Sequence, residues 1–199
     1  KDENGLNHFT AYIENGRVID TPDLPQKTGL RVLAQYMEKN NTGHFRLTGN
    51  QHLVVSDITD EHLDAVKEIL AKYTLDNADF SGLRLSSSAC VGLPTCGLAF
   101  AESERYLPDV ITQLEDTLEE YGLRHDSIIM RMTGCPNGCS RPWLAELALV
   151  GKAPHTYNLY LGGGYYGQRV NKLYRANLND EEIVDVIKPL FKRYAAERN

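Results

Sequence analysis

The chain has 199 residues, of which 42% are hydrophobic and 24% charged, with a formal net charge of -6. This is an ordinary globular composition, long enough for one domain or two small lobes whose core needs no disulfide staples. The acidic balance excludes nucleic acid as the main partner, because phosphate binding draws on a surplus of Lys and Arg, and no apolar run approaches the roughly 20 residues needed to cross a bilayer.

The polar start Lys1-Asp-Glu-Asn has no signal-peptide character, which makes a cytoplasmic, reducing location the expectation. Residues 7–13 alternate as a strand, and Asn15-Gly16 signals a two-residue hairpin into a second strand at 17–19. From Gln26 to Lys39, Leu30, Leu33, Ala34 and Met37 recur at helical spacing. His44–Ser56 reads as strand broken at Gly49-Asn50. Thr59 then caps a helix running to Lys72. This succession predicts a small α+β lobe of ferredoxin-like character over residues 1–78.

The Ser-rich stretch 74–89 reads as a connector, and 79–199 as a second, mixed α/β domain. Apolar residues between Leu98 and Tyr121 fall at helical intervals, with Pro108 starting a second segment. The acids Glu102, Glu104 and those from Glu115 to Glu120 read as a solvated helix face. Ser127–Met132, Glu146–Val150 and Thr156–Leu161 read as strands. Gly162–Gly167 is a glycine-rich turn, Gln168–Tyr174 a returning strand and Asp180–Ala196 a closing amphipathic helix.

All four cysteines lie in two motifs, Cys90-Val-Gly-Leu-Pro-Thr-Cys96 and Cys135-Pro-Asn-Gly-Cys139, about forty residues apart. Four thiolates from two loops can hold one tetrahedral zinc or one iron-sulfur cluster. Structural zinc favours C-x2-C knuckles, and both gaps here are longer, so the spacing favours the cluster. Gly92, Gly134 and Gly138 let backbone come close to it, and Trp143 and Leu144 supply an apolar wall. The six histidines read as surface or packing residues. Arg46, Arg131, Arg141 and Lys152 are candidates for a basic pocket that would receive an anion.

These motifs, with Met130-Arg-Met-Thr-Gly ahead of the second one and Leu149-Val-Gly-Lys-Ala-Pro154 and Tyr157-Asn-Leu-Tyr-Leu-Gly-Gly163 beyond it, resemble the assimilatory sulfite and nitrite reductase family, its NADPH-dependent branch above all. The resemblance implies a ferredoxin-like half-domain followed by a sirohaem and 4Fe-4S domain. It implies that Cys90, Cys96, Cys135 and Cys139 ligate the cluster, and that Cys139 also bridges to the sirohaem iron. Arg46, Thr48, Asn50 and Gln51 match a family pattern facing the tetrapyrrole, and Arg131, Asn137 and Lys152 are further candidates for cofactor contact.

The implied reaction is six-electron reduction of sulfite to sulfide, with electrons from an NADPH-dependent flavoprotein partner. Nitrite reduction, an inactive cluster-holding fragment and a zinc-stabilised module are the alternatives. Family subunits are more than twice this long, so the chain reads as a C-terminal half. On that reading the substrate-binding basic residues lie mainly in the missing N-terminal half, and the isolated piece is expected to be inactive.

Overall fold

The structure, a computed structural model, describes residues 1–198. The chain divides into two compact units, residues 1–80 and residues 81 onward, and both mix helices with sheet.

The first unit contains β1 (Asn7–Ala11), α1 (Gln26–Lys39), β2 (His44–Leu47), β3 (Leu53–Ile58) and α2 (Asp60–Lys72). β3 is the centre of an antiparallel sheet ordered β1-β3-β2. Leu33 and Met37 lie four apart on α1, and Val66 and Leu70 four apart on α2. Each pair therefore shares a helix face, and both faces close over Ala11, Val55 and Ile58 in one core.

The expected hairpin at Asn15-Gly16 does not form. Residues 14–16 make a 3-10 turn with Asn15 at φ 48°, but 17–19 is not a strand, and β1 pairs with β3 instead, Phe9 opposite Val55. The segment after the turn serves as the entry to α1, where the Asp20 carboxylate accepts from the Thr28 backbone N–H at 2.9 Å and its hydroxyl at 2.8 Å. Thr59 stands at the N-terminus of α2 as expected, yet its side chain makes no capping bond there.

The second unit contains α3 (Gly82–Leu85), β4 (Ser88–Ala89), α4 (Leu107–Glu120), β5 (Met130–Thr133), β6 (Leu147–Ala153), β7 (Thr156–Leu161), β8 (Lys172–Asn179) and α5 (Asp180–Glu197). The sheet runs in chain order from β4 to β8. Its first three strands are parallel and its last two antiparallel to their neighbours. Leu107, Ile111, Leu114 and Leu118 of α4 and Ile183, Ile187 and Phe191 of α5 bury against Met130, Met132, Leu149 and Leu159. α5 starts with a capping box, Asn179 and Glu182 each bonding the other's backbone N–H.

Several boundaries differ from those the sequence suggests. The Ser-rich connector carries α3, capped by Ser81, and ends in β4. Residues 98–106 are not helical. α4 begins at Leu107 with Pro108 in its first turn, where a missing N–H costs nothing. β8 starts at Lys172 because bonds from Gly167 N–H to Gly164 O and from Gly164 N–H to Arg169 O close the glycine turn first.

Part of the acidic face of α4 is not solvated. The Glu115 carboxylate accepts from Arg84 Nε at 3.0 Å and Nη2 at 2.9 Å and from the Ser81 hydroxyl at 2.7 Å, joining α3 to α4. Burial pushes this carboxyl up, but Arg84 and Ser81 outweigh it and hold it below the usual range. The pair therefore stabilises the fold in full above the unfolded carboxyl's pKa of about 4.3, and the contribution is lost as pH falls through the depressed folded value. Glu115→Ala is expected to cost about 2–4 kcal/mol at neutral pH, because it strands a largely buried guanidinium, and less at pH 3. Denaturant unfolding at the two pH values checks this, and equal losses would refute it.

Candidate metal centre

β4 and β5 are adjacent and parallel, Ser88 opposite Arg131 and Ala89 opposite Met132. The ladder continues through the Cys90 N–H to Met132 O at 3.1 Å. Two loops, 90–96 and 135–139, therefore leave the same end of the sheet side by side, at the C-terminal ends of strands. The first loop then folds back over the second. The N–H groups of Phe100 and Ala101 donate to Gly134 O at 2.8 and 3.0 Å, and Leu93 N–H donates to Ala101 O at 3.0 Å.

The second loop is fixed from beneath. Ser140 Oγ donates to Met132 O at 2.8 Å, and the buried Arg131 guanidinium donates to Ser88 Oγ at 2.6 Å and to Ser140 O at 3.1 Å. Arg131 thus ties β4 to the residue after Cys139. Burial, with Arg141 nearby, pushes its guanidinium down to about 10, still well above neutral pH.

Two glycines also let the loops and β6 pack closely. A β-carbon on Gly134 would stand 2.5 Å from Ala101 O and 3.1 Å from Gly92 Cα, and one on Gly151 of β6 would stand 2.5 Å from Gly134 O. Their bareness lets the two loops and β6 lie against each other.

All four cysteines are free thiols. Cys135 is buried, Cys90 and Cys96 are half-buried and Cys139 is exposed. The Cys90 sulfur receives the Gly134 N–H at 3.2 Å and the Thr133 hydroxyl at 3.4 Å, and the Ser103 hydroxyl lies 3.2 Å away. Burial pushes this thiol up, but the bonds from Ser103, Thr133 and the backbone of Gly134 and Gly92 prevail and hold it below the usual thiol value. Such a sulfur suits a metal-bound thiolate.

Tetrahedral zinc with bonds of about 2.3 Å requires sulfurs about 3.8 Å apart. Among the described residues no three cysteine sulfurs lie within 4.8 Å of one another. The trio that does come so close, Asp2, His8 and Asp57, is in the first unit. There His8 accepts the Asp57 backbone N–H and pairs with Asp2.

In the first unit Arg46, Thr48, Asn50 and Gln51 line the end of β2 and the turn into β3. Arg46 is exposed, its Nε bonded to Ser56 Oγ at 2.8 Å and its Nη2 to the Asp57 carboxylate at 2.7 Å. Thr48 Oγ1 accepts from the His52 N–H at 3.1 Å, Asn50 is exposed, and Gln51 has φ 67°. In the second unit Asn137 is exposed between Cys135 and Cys139, while Lys152 reaches Asn177 Oδ1 of β8 at 2.5 Å. Trp143 packs edge-on against Tyr160. Gly134 was singled out from the sequence, but its N–H bond to Cys90 and the hydroxyls of Thr133 and Ser103 were not assigned to that sulfur. Thr133 and Gly134 adjoin Cys135 and were within reach of the sequence reading, but Ser103 falls in a stretch with no pattern.

Residues 1–73 match the model of the nitrite/sulfite reductase ferredoxin-like half domain. Over 198 residues the chain is 83% identical to sulfite reductase (NADPH) subunit beta of Saccharomyces cerevisiae, covering 100% of this chain and 14% of that protein. The chain resembles a segment of sulfite reductase beta subunits. It is 52% identical over 199 residues to the sulfite reductase (NADPH) hemoprotein beta-component of Nitrobacter hamburgensis, covering 100% of this chain and 34% of that one. The NirA protein of Mycobacterium tuberculosis superposes with a TM-score of 0.81 at 26% identity, over 99% of this chain and 37% of its own. Dissimilatory sulfite reductase I, at a TM-score of 0.66 and 12% identity over 98% of this chain and 64% of its own, shares the fold. The first unit is therefore ferredoxin-like, and the chain spans about a third of the length, or less, of these sulfite reductase beta subunits. Among the described residues no helix is long and apolar enough to cross a membrane.

Proposed function

We propose that this chain is part of an assimilatory sulfite reductase haemoprotein, in which Cys90, Cys96, Cys135 and Cys139 hold a 4Fe-4S cluster and Cys139 also bridges to the iron of a sirohaem. The observation that carries the reading is the parallel pairing of β4 with β5, which brings both cysteine loops to one end of one sheet. The donors around the Cys90 sulfur support it further.

When bound, such a pair would supply stored electrons for the six-electron reduction of sulfite to sulfide. The chain's own residues hold and shield it. Arg131 braces the second loop, and Gly134 N–H stabilises the Cys90 thiolate. Arg46, aimed by Ser56 and Asp57, offers charge to carboxylates or oxyanions, and Thr48, Asn50 and Gln51 offer polar groups along the same turn. Asn137 and Lys152 complete the set of polar candidates. Electrons would arrive from an NADPH-dependent flavoprotein in the cytoplasm, and the remainder of the subunit would complete the anion pocket. Sulfite is favoured over nitrite because relatives sharing half or more of these residues carry sulfite reductase names.

Metal analysis with an absorption spectrum of the full-length subunit tests the reading. The expected result is about four irons and four acid-labile sulfides in the cluster, one further iron in the macrocycle, and a Soret band with a red-region band. A colourless protein containing zinc would overturn it.

A further inference from the structure

Two buried hydroxyls beside Cys90 have more acceptors than protons. Ser103 Oγ lies 2.6 Å from the Cys90 carbonyl oxygen and 3.2 Å from the Cys90 sulfur. Thr133 Oγ1 lies 3.3 Å from the Cys135 carbonyl oxygen and 3.4 Å from the same sulfur. Each hydroxyl carries a single proton, and both residues are fully buried, so bulk water does not complete the set. The Gly134 N–H, by contrast, is fixed by the backbone and always points at the sulfur. Cys90 Sγ thus has one permanent donor and two that choose between it and a carbonyl.

We propose that Ser103 and Thr133 set the reduction potential of the metal group held at Cys90, by turning their protons from the Cys90 and Cys135 carbonyls to the Cys90 sulfur as that sulfur gains negative charge. The proposal rests on Cys90 being a cluster ligand. An added electron spreads onto the ligand sulfurs, and a hydrogen bond strengthens with the charge of its acceptor. A reorientable donor therefore stabilises the reduced state more than the oxidised one and raises the potential. No covalent bond forms or breaks. The electron comes from the external reductant, and each proton stays on its own oxygen while the hydroxyl rotates.

The geometry also ranks the two. Ser103 is held to its carbonyl by a bond 0.6 Å shorter than its approach to sulfur, 2.6 against 3.2 Å. Thr133 sits at nearly equal distances, 3.3 and 3.4 Å. Its proton turns at less cost, and it is the stronger regulator.

The test is a dithionite redox titration of the cluster signal in the full-length subunit, comparing wild type with Thr133→Val, Thr133→Ser and Ser103→Ala at measured iron and labile-sulfide content. At the wild-type midpoint, Thr133→Val is expected to lower the ratio of reduced to oxidised cluster roughly tenfold, equivalent to about 59 mV for a one-electron couple. Ser103→Ala shifts it in the same direction by less, and Thr133→Ser, which keeps the hydroxyl, stays near wild type. Unchanged midpoints at unchanged iron content overturn the proposal, as does an equal shift in Thr133→Val and Thr133→Ser, which would mark a packing effect. Should Thr133→Val shed its iron, Ser103→Ala decides: a downward shift supports the proposal and an unmoved midpoint overturns it. A wild-type protein without iron would instead remove the ligand assignment itself.

Discussion

Cys139→Ser in the full-length subunit is expected to abolish sulfite turnover, by more than the about 10–100-fold that loss of an outer-shell partner costs. The reason lies in where the four sulfurs sit. Cys135 is buried, Cys90 and Cys96 are half-buried, and the Cys90 sulfur lies among Ser103, Thr133 and Gly134. Cys139 is exposed, one residue past Gly138 at φ 71°, on a loop whose far side is pinned through Ser140 and Arg131. An exposed cysteine on a braced loop can serve two metal groups at once. Serine offers an oxygen that ligates iron poorly and does not carry the same electronic contact. Steady-state assays with the flavoprotein donor, read beside iron content, check the expectation. Retained activity would remove Cys139 from the bridging role.

Much of the fold was legible because its helices are amphipathic and the central strands of its second sheet are buried. α1 follows from the spacing of Leu33 and Met37, and β7 from the alternation around Tyr157 and Leu159, both buried. Where local signals competed with tertiary demand, the latter prevailed. Asn15-Gly16 makes its turn, but β3 presents Val55 to β1 and offers a buried ladder that residues 17–19 do not. β4 is two residues long in a Ser-rich run, and its pairing comes from β5, forty residues on. Periodicity has nothing to read in so short a strand.

The site was legible in its ligands and obscure in its supports. Cysteine spacing and the family resemblance picked out four residues, yet what shapes their surroundings is contributed by Ser103, Ser88 and Gly151, none of which stands in a cysteine motif. Arg131 was expected to touch a cofactor. Its bonds to Ser88 and Ser140 also make it a brace for the loop that carries Cys139, a role the sequence did not show.

Gly134→Ala is expected to destabilise the second unit by roughly 3 kcal/mol and to reduce iron content, although it alters no ligand and adds only a methyl group. The new β-carbon would stand 2.5 Å from Ala101 O, 3.0 Å from Ala99 Cβ and 3.1 Å from Gly92 Cα. Two of these three are backbone atoms, so rotamer changes cannot relieve the clash, and on the other side Gly151 already lies against the Gly134 carbonyl. Relief requires the first cysteine loop to lift away. That breaks the bonds from Phe100 and Ala101 N–H to Gly134 O and draws the first loop, with Cys90 and Cys96, away from the second. Gly97→Ala is the matched control, since a β-carbon there meets nothing within 4 Å, and it should change stability by less than about 0.5 kcal/mol. Denaturant unfolding with iron analysis of both variants separates them. Equal stability and iron content in the two would mean that the loops do not depend on this close approach.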